Sequence, residues 1–195
     1  MVATSQREVL AVSLLCIVAF GKSRIESRSP SRSMSAQVYA ALIDSLYKQP
    51  DSDTLLIADS TMSFRVPTNA VSKWRQQFDS IPSDLPPQLE VASRSWQPST
   101  SLPLSRPIRV LPYTELREIF KSGPGGGWAE FSRRYPRQRQ YLRLTPIVFS
   151  ADSLDALTYY EYHCGPLCGG GDAVWLKRDA AGRWSVRKVV WFWIS

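Results

Sequence analysis

Residues 158–172 read TYYEYHCGPLCGGGD, and the way this stretch folds decides the architecture of the second half of the chain. Its first half alternates. Tyr159, Glu161 and His163 fall on one face of an extended chain, Tyr160 and Tyr162 on the other. The aromatic, β-favouring content marks a strand. The second half passes through two cysteines and a glycine run into AVWLKR, residues 173–178, which reads as another strand. The unit is strand–turn–strand, with the chain's only histidine and two of its three cysteines at the bend.

The period of two extends in both directions. Residues 141–149 and 183–194 also read as strands, and Ala151-Asp152-Ser153 and Ala180-Ala181-Gly182 supply turns. Connections this short imply antiparallel neighbours. The last strand alternates at first and then becomes VVWFWI, apolar on both faces. That end is therefore expected to be covered on both sides.

Earlier in the chain the period is helical. Over residues 36–48, Tyr39, Leu42, Ile43 and Leu46 form one apolar stripe. TLLIA, residues 54–58, reads as a buried strand. A second helix is opened by Pro67-Thr68-Asn69, with Val71, Trp74 and Phe78 on one face. Residues 108–111 read as a strand and 114–120 as a short helix. Trp128, Phe131 and Tyr135 share a face of another, ended by Pro136. The proline-rich residues 81–107 read as a surface arm, because proline breaks helices and inner strands. GPGGG, residues 123–127, reads as a flexible turn. It lacks the Lys-Ser/Thr pair of a phosphate loop. The expected fold is α+β: N-terminal helices packed on a C-terminal four-stranded antiparallel β-meander.

Composition bounds the setting. The chain has 195 residues, 44% of them apolar, with a net charge of +7. Its lysines and arginines are scattered, so nucleic acid is not the expected partner. VLAVSLLCIVAF, residues 9–20, is shorter than the roughly 20 apolar residues that span a bilayer. It fits the apolar core of a secretory signal, with Ala19-Phe20-Gly21 at a cleavage point before Lys22. An uncleaved anchor and a buried first helix are the alternatives. The expected organisation is a signal peptide over 1–21, a flexible Ser/Arg-rich tether over 22–35, and a single α+β domain over 36–195. That domain carries the proline-rich arm at 81–107. The expected location is outside the cytoplasm, periplasmic or secreted, with no transmembrane helix after cleavage.

The bend at residues 163–172 admits several chemistries. In an oxidising compartment Cys164 and Cys168 pair. The bridge closes a five-residue loop worth about 2 kcal/mol, with Gly165 and Gly169 to Gly171 supplying positive φ. As a redox motif, Cys-Gly-Pro-Leu-Cys is one residue longer than the thioredoxin-like form, and no helix follows to lower the thiol pKa. His163, Cys164, Cys168 and Asp172 offer four metal donors, but His163 and Cys164 are neighbours in a strand and face opposite ways. A Cys–His nucleophile meets the same obstacle. Asp155 and Glu161 are carboxylates that could serve acid–base work. The structural bridge is the favoured reading. No catalytic residue, metal ligand or cofactor is assigned. The binding candidates are Tyr159, Tyr160, Glu161, Tyr162, His163 and Asp172, because aromatic faces take sugars, peptides and proteins.

One resemblance stands beside this reading. Trp128, Phe131, Tyr135 and Pro136 make a Trp-x-x-Phe-x-x-x-Tyr-Pro helix. Cys164 to Gly171 make Cys-Gly-x-Leu-Cys-Gly-Gly-Gly, Gly182-Arg183-Trp184 a Gly-x-Trp turn, and Trp193-Ile194-Ser195 a Trp-x-Ser ending. This pattern, over about residues 127–195, resembles an uncharacterised family of exported bacterial proteins. The helix over 36–48 and the LLIAD strand match it more loosely. The resemblance implies an exported globular domain and carries no reaction. The expected function is a non-catalytic binding or envelope-associated module with a structural disulfide, its partner a protein or a cell-envelope component. The alternative is a thiol-dependent redox or metal-binding protein using Cys164, Cys168 and His163.

Overall fold

The computed structural model describes residues 30–46, 54–60, 62–65, 77, 79–95 and 107–195. The expected signal segment over 1–21 lies outside them, as does nearly all of the helix opened at Pro67. Among the described residues four helices and seven strands follow one another: α1 (Pro30–Leu46), β1 (Leu55–Ala58), α2 (Leu85–Ala92), β2 (Ile108–Leu111), α3 (Tyr113–Phe120), α4 (Gly123–Arg134), β3 (Tyr141–Leu144), β4 (Val148–Phe149), β5 (Asp155–Gly165), β6 (Cys168–Arg178) and β7 (Trp184–Ile194).

The sheet corrects the expected architecture. It is not a four-stranded antiparallel meander but a seven-stranded mixed sheet, ordered β2-β1-β3-β5-β6-β7 with β4 also paired to β5. β1 runs parallel to both β2 and β3, while β3 and β5, β5 and β6, and β6 and β7 pair antiparallel. The cause lies in β1. All four of its residues are buried, Leu55 and Ile57 in one core cluster and Leu56 and Ala58 in another. A strand apolar on both faces belongs inside a sheet, between two partners. The expected first strand over 141–149 divides at Thr145-Pro146. Proline has no N–H to give the ladder, and Thr145 instead bonds the backbone of Tyr159 through both its amide and its hydroxyl.

Two layers cover the sheet. On one face α1 supplies Val38, Tyr39, Leu42 and Ile43 to a core with Leu142, Leu144, Tyr160, Val174, Leu176 and Trp184. On the other, α2 contributes Leu85 and Leu89 beneath Leu157, Tyr159 and Val190. Beside it α3 and α4 bring Leu116, Ile119 and Phe131 against Leu56 and Leu111.

One helix arises where none was expected, and the helix expected around Trp128 and Phe131 begins earlier than its aromatic face. α2 lies within the proline-rich arm. Its prolines occupy the first helical turn, where an amide donor is not needed. GPGGG is not a flexible turn but the first turn of α4. Gly123 has φ +84°, and a Cβ on Gly127 would lie 2.9 Å from the Phe120 backbone. The run therefore turns the chain tightly and lets α4 pack close to α3. α1 also starts earlier than the apolar stripe, at Pro30.

A candidate binding site at the stapled end of the sheet

The β5–β6 hairpin turns at Pro166 and Leu167, with Gly165 paired to Cys168 and a register shift between His163 and Gly165. Cys164 and Cys168 form a disulfide across this turn, their Cα atoms 5.0 Å apart. The staple expected from the sequence is present, but the glycines serve it differently. Gly169 to Gly171 lie in β6, and among the described residues the positive-φ glycines are Gly123 and Gly182. What the run provides is absence of side chain. A Cβ on Gly171 would lie 2.1 Å from the Tyr159 hydroxyl and 2.4 Å from Trp193 Nε1. One on Gly170 would meet the Tyr162 ring at 2.7 Å. The glycines let rings from β5 and β7 lie close on both faces of β6, Tyr162 over Gly170 on the α1 face and Tyr159 and Trp193 over Gly171 on the other.

On the face opposite α1 a polar network centres on Glu161. Arg143 Nη1 donates to Glu161 Oε2 at 3.0 Å, and His163 Nε2 lies 3.3 Å from the same oxygen. Tyr159 donates its hydroxyl to Glu161 Oε1 at 3.2 Å and accepts from Trp193 Nε1 at 2.9 Å. Arg143 Nε also donates to Ser60 Oγ at 3.0 Å. Burial works to raise the Glu161 pKa. The His163 contact and the Arg143 charge outweigh it, and the carboxyl is held below its ordinary range. The Tyr159 hydroxyl is pushed up by burial and by the Glu161 charge. The His163 ring stacks on Tyr141 at 4.9 Å, and Tyr141 in turn stacks on Trp128 at 6.0 Å.

The opposite face carries a second, simpler pair. Tyr160 donates its hydroxyl to Asp172 at 2.6 Å, and both residues are buried. Burial raises the Asp172 pKa against the lowering effect of that bond.

The six binding candidates are thus divided between two faces. Tyr159, Glu161 and His163 share the Arg143 face, while Tyr160, Tyr162 and Asp172 share the α1 face. The four conceivable metal donors do not converge. The cysteines are bonded to each other, and His163 and Asp172 look to opposite sides. Among the described residues no group of three His, Cys, Asp or Glu side chains is placed to hold a metal ion. Asp155 and Glu161 do not form an acid–base pair. They stand six positions apart along β5, about 20 Å, and Asp155 is engaged by Trp175 and Lys177.

Sequence reasoning missed three members of the site. Arg143 and Trp193 are brought to β5 by pairing across β3 and by way of β6 and β7, and Ser60 follows β1. The expectation for β7 also needs correction. In VVWFWI, Val189 and Val190 pack into the cores of the two faces and Phe192 packs half-buried against Phe64 and Tyr159, but the rest is open. Beyond them Trp191 is 77% exposed, Trp193 36% and Ile194 82%, and at the hairpin tip Leu167 is 86% exposed. These residues converge on one end of the sheet, because Trp191, Trp193 and Ile194 pair with Asp172, Gly171 and Gly170, close to the hairpin turn. No helix among the described residues is long and apolar enough to cross a membrane. Comparison with protein-family models, with curated proteins and with solved structures finds no match for this chain.

Proposed function

We propose that this protein is an exported, non-catalytic binding module of the cell envelope, and that it binds with the stapled end of its sheet. The observation that carries the reading is the exposure of Leu167, Trp191, Trp193 and Ile194 at that one end. Large apolar side chains gathered in solvent mark a contact surface, and aromatic anchors dominate such contacts. The polar cluster supports the non-catalytic part. The Glu161 carboxylate is already matched by Arg143, His163 and Tyr159, so it serves to hold β3, β5 and β7 in register. The bridge locks the turn that carries Leu167, which lowers the ordering cost of binding. The resemblance to exported proteins and the apolar residues 9–20 support the location.

Hydroxyl-radical footprinting tests the binding surface. The protein is labelled in its native envelope and, separately, after purification. The proposal expects Trp191 and Leu167 to be protected in the envelope and reactive when purified. Equal reactivity in both states would mean a bare surface and would remove the proposal.

A further inference from the structure

The shape of the stapled end narrows its partner. Trp191 and Ile194 pair with Asp172 and Gly170 and project from the α1 face. Trp193 pairs with Gly171 and lies on the opposite face, against Tyr159. Leu167 caps the turn between them. The end is a wedge with apolar side chains on both sides and at its tip, not a groove. A folded partner would cover one side of such a wedge, whereas a fluid lipid interface wets both.

The backbone fits the same partner. The hairpin strands are paired up to Gly165 and Cys168, and Pro166 has no N–H to leave unsatisfied, so little polar backbone would be stranded in lipid. Strand addition to β7 is disfavoured. The β6–β7 ladder shifts register at Gly171/Asp172 and at Trp175/Leu176, leaving Arg187 and Phe192 as extra residues on β7. Bulges and cations blunt a sheet edge.

The charge at this end is cationic. Arg137 and Arg139 are exposed in the loop leading into β3, whose first residue, Tyr141, pairs with His163 beside the hairpin turn. No carboxylate partner for either arginine is found among the described residues. The side-chain carboxylates of Glu161 and Asp172 are occupied, Glu161 by Arg143 and Asp172 by the Tyr160 hydroxyl. The chain as a whole carries +7. Tryptophan favours the membrane–water boundary, and a basic residue at an anionic bilayer strengthens binding about fivefold.

We infer that the stapled end is a lipid-docking wedge that inserts Leu167, Trp191, Trp193 and Ile194 shallowly into an anionic membrane surface, with Arg137 and Arg139 on the headgroups. This rests on the proposed function, naming the partner of the same surface. The test is cosedimentation of the full chain with vesicles of phosphatidylcholine alone and of phosphatidylglycerol with phosphatidylcholine. The wild type is compared with Leu167→Ser/Trp191→Ser/Ile194→Ser and with Arg137→Gln/Arg139→Gln. These positions are exposed, so the melting temperatures of the variants serve as the folding control.

The inference expects binding to phosphatidylglycerol vesicles that weakens with salt. It expects a loss on the order of a hundredfold in the apolar variant, and a loss of about fivefold for each arginine removed. Apolar-variant binding equal to wild type would overturn it, since the apolar residues 9–20 would then be carrying the chain to lipid. So would indifference to phosphatidylglycerol. The footprint separates the two readings. Protection in the envelope without vesicle binding points to a protein or polysaccharide partner, and the lipid inference falls while the binding function stands. No protection and no vesicle binding removes both.

Discussion

The α3–α4 corner and the β5–β6–β7 end are assembled from the same ingredients and finish in opposite states. Each has a glycine run, and each gathers aromatic rings around it. At the corner Phe120, Trp128, Phe131, Tyr135 and Tyr141 turn inward and pack on one another. The surface left outside is charged and self-paired. Glu130 accepts from Arg133 and Arg134, whose hydrogen bonds push its carboxyl down to about 2. At the stapled end the inner rings are equally satisfied, but Trp191 and Ile194 stand in solvent. A glycine run therefore says only that something must come close. Whether the result is core or contact surface depends on what covers the rings.

That contrast can be broken at the corner first. Phe131 is fully buried there, and Phe131→Ala is expected to destabilise the protein by about 3–5 kcal/mol in urea unfolding. Gly127→Ala follows at about 2–3 kcal/mol, because its Cβ would meet the Phe120 backbone, which cannot swing aside. Gly125→Ala is its control. Nothing lies within 4 Å of that Cβ, and in a helix the change is expected to stabilise by about 0.5–1 kcal/mol. A loss at Gly125 equal to that at Gly127 would show that flexibility, not close approach, governs the run.

At the other end Gly171→Ala is expected to cost about 1–2 kcal/mol and to break the Trp193–Tyr159 bond, which red-edge tryptophan emission would register. Glu161→Gln leaves the Arg143 charge less well matched and is expected to cost about 1–2 kcal/mol at neutral pH. Glu161 is depressed in the folded state, so its contribution is present above the unfolded value of about 4.3 and disappears as pH falls through the folded value. The melting curves of wild type and Glu161→Gln should converge in acid. A gap unchanged from neutral pH into acid would contradict the network. The smallest effect belongs to Trp191→Ser, within about 0.5 kcal/mol of wild type. A large loss there would mean that Trp191 is part of the core and not of a contact surface.

Much of this was legible in the residues, for reasons that also explain what was not. The tyrosine strand, its facing, the staple and the α1 stripe are set by local periodicity and by cysteine spacing. Leu55–Ala58 was readable as a buried strand, but its partners were not. Four apolar residues do not say that Ile108–Leu111 and Tyr141–Leu144 lie on either side of them, and parallel pairing across long loops leaves no local mark. The prolines of α2 looked like breakers because their place in a first turn depends on where the helix starts. VVWFWI looked covered because hydrophobicity alone does not tell a core from a surface waiting for a partner. Arg143 and Trp193 joined Glu161 only through the sheet order, which no single segment encodes.

The most direct test concerns the staple itself. The protein is recovered from its native compartment, denatured, and alkylated without reductant, and its intact mass is measured. The account predicts a chain beginning near Lys22 with Cys164 and Cys168 carrying no alkyl group. A full-length chain with both cysteines alkylated would contradict it, and would return Cys164, Cys168 and His163 to consideration as working thiols and ligands.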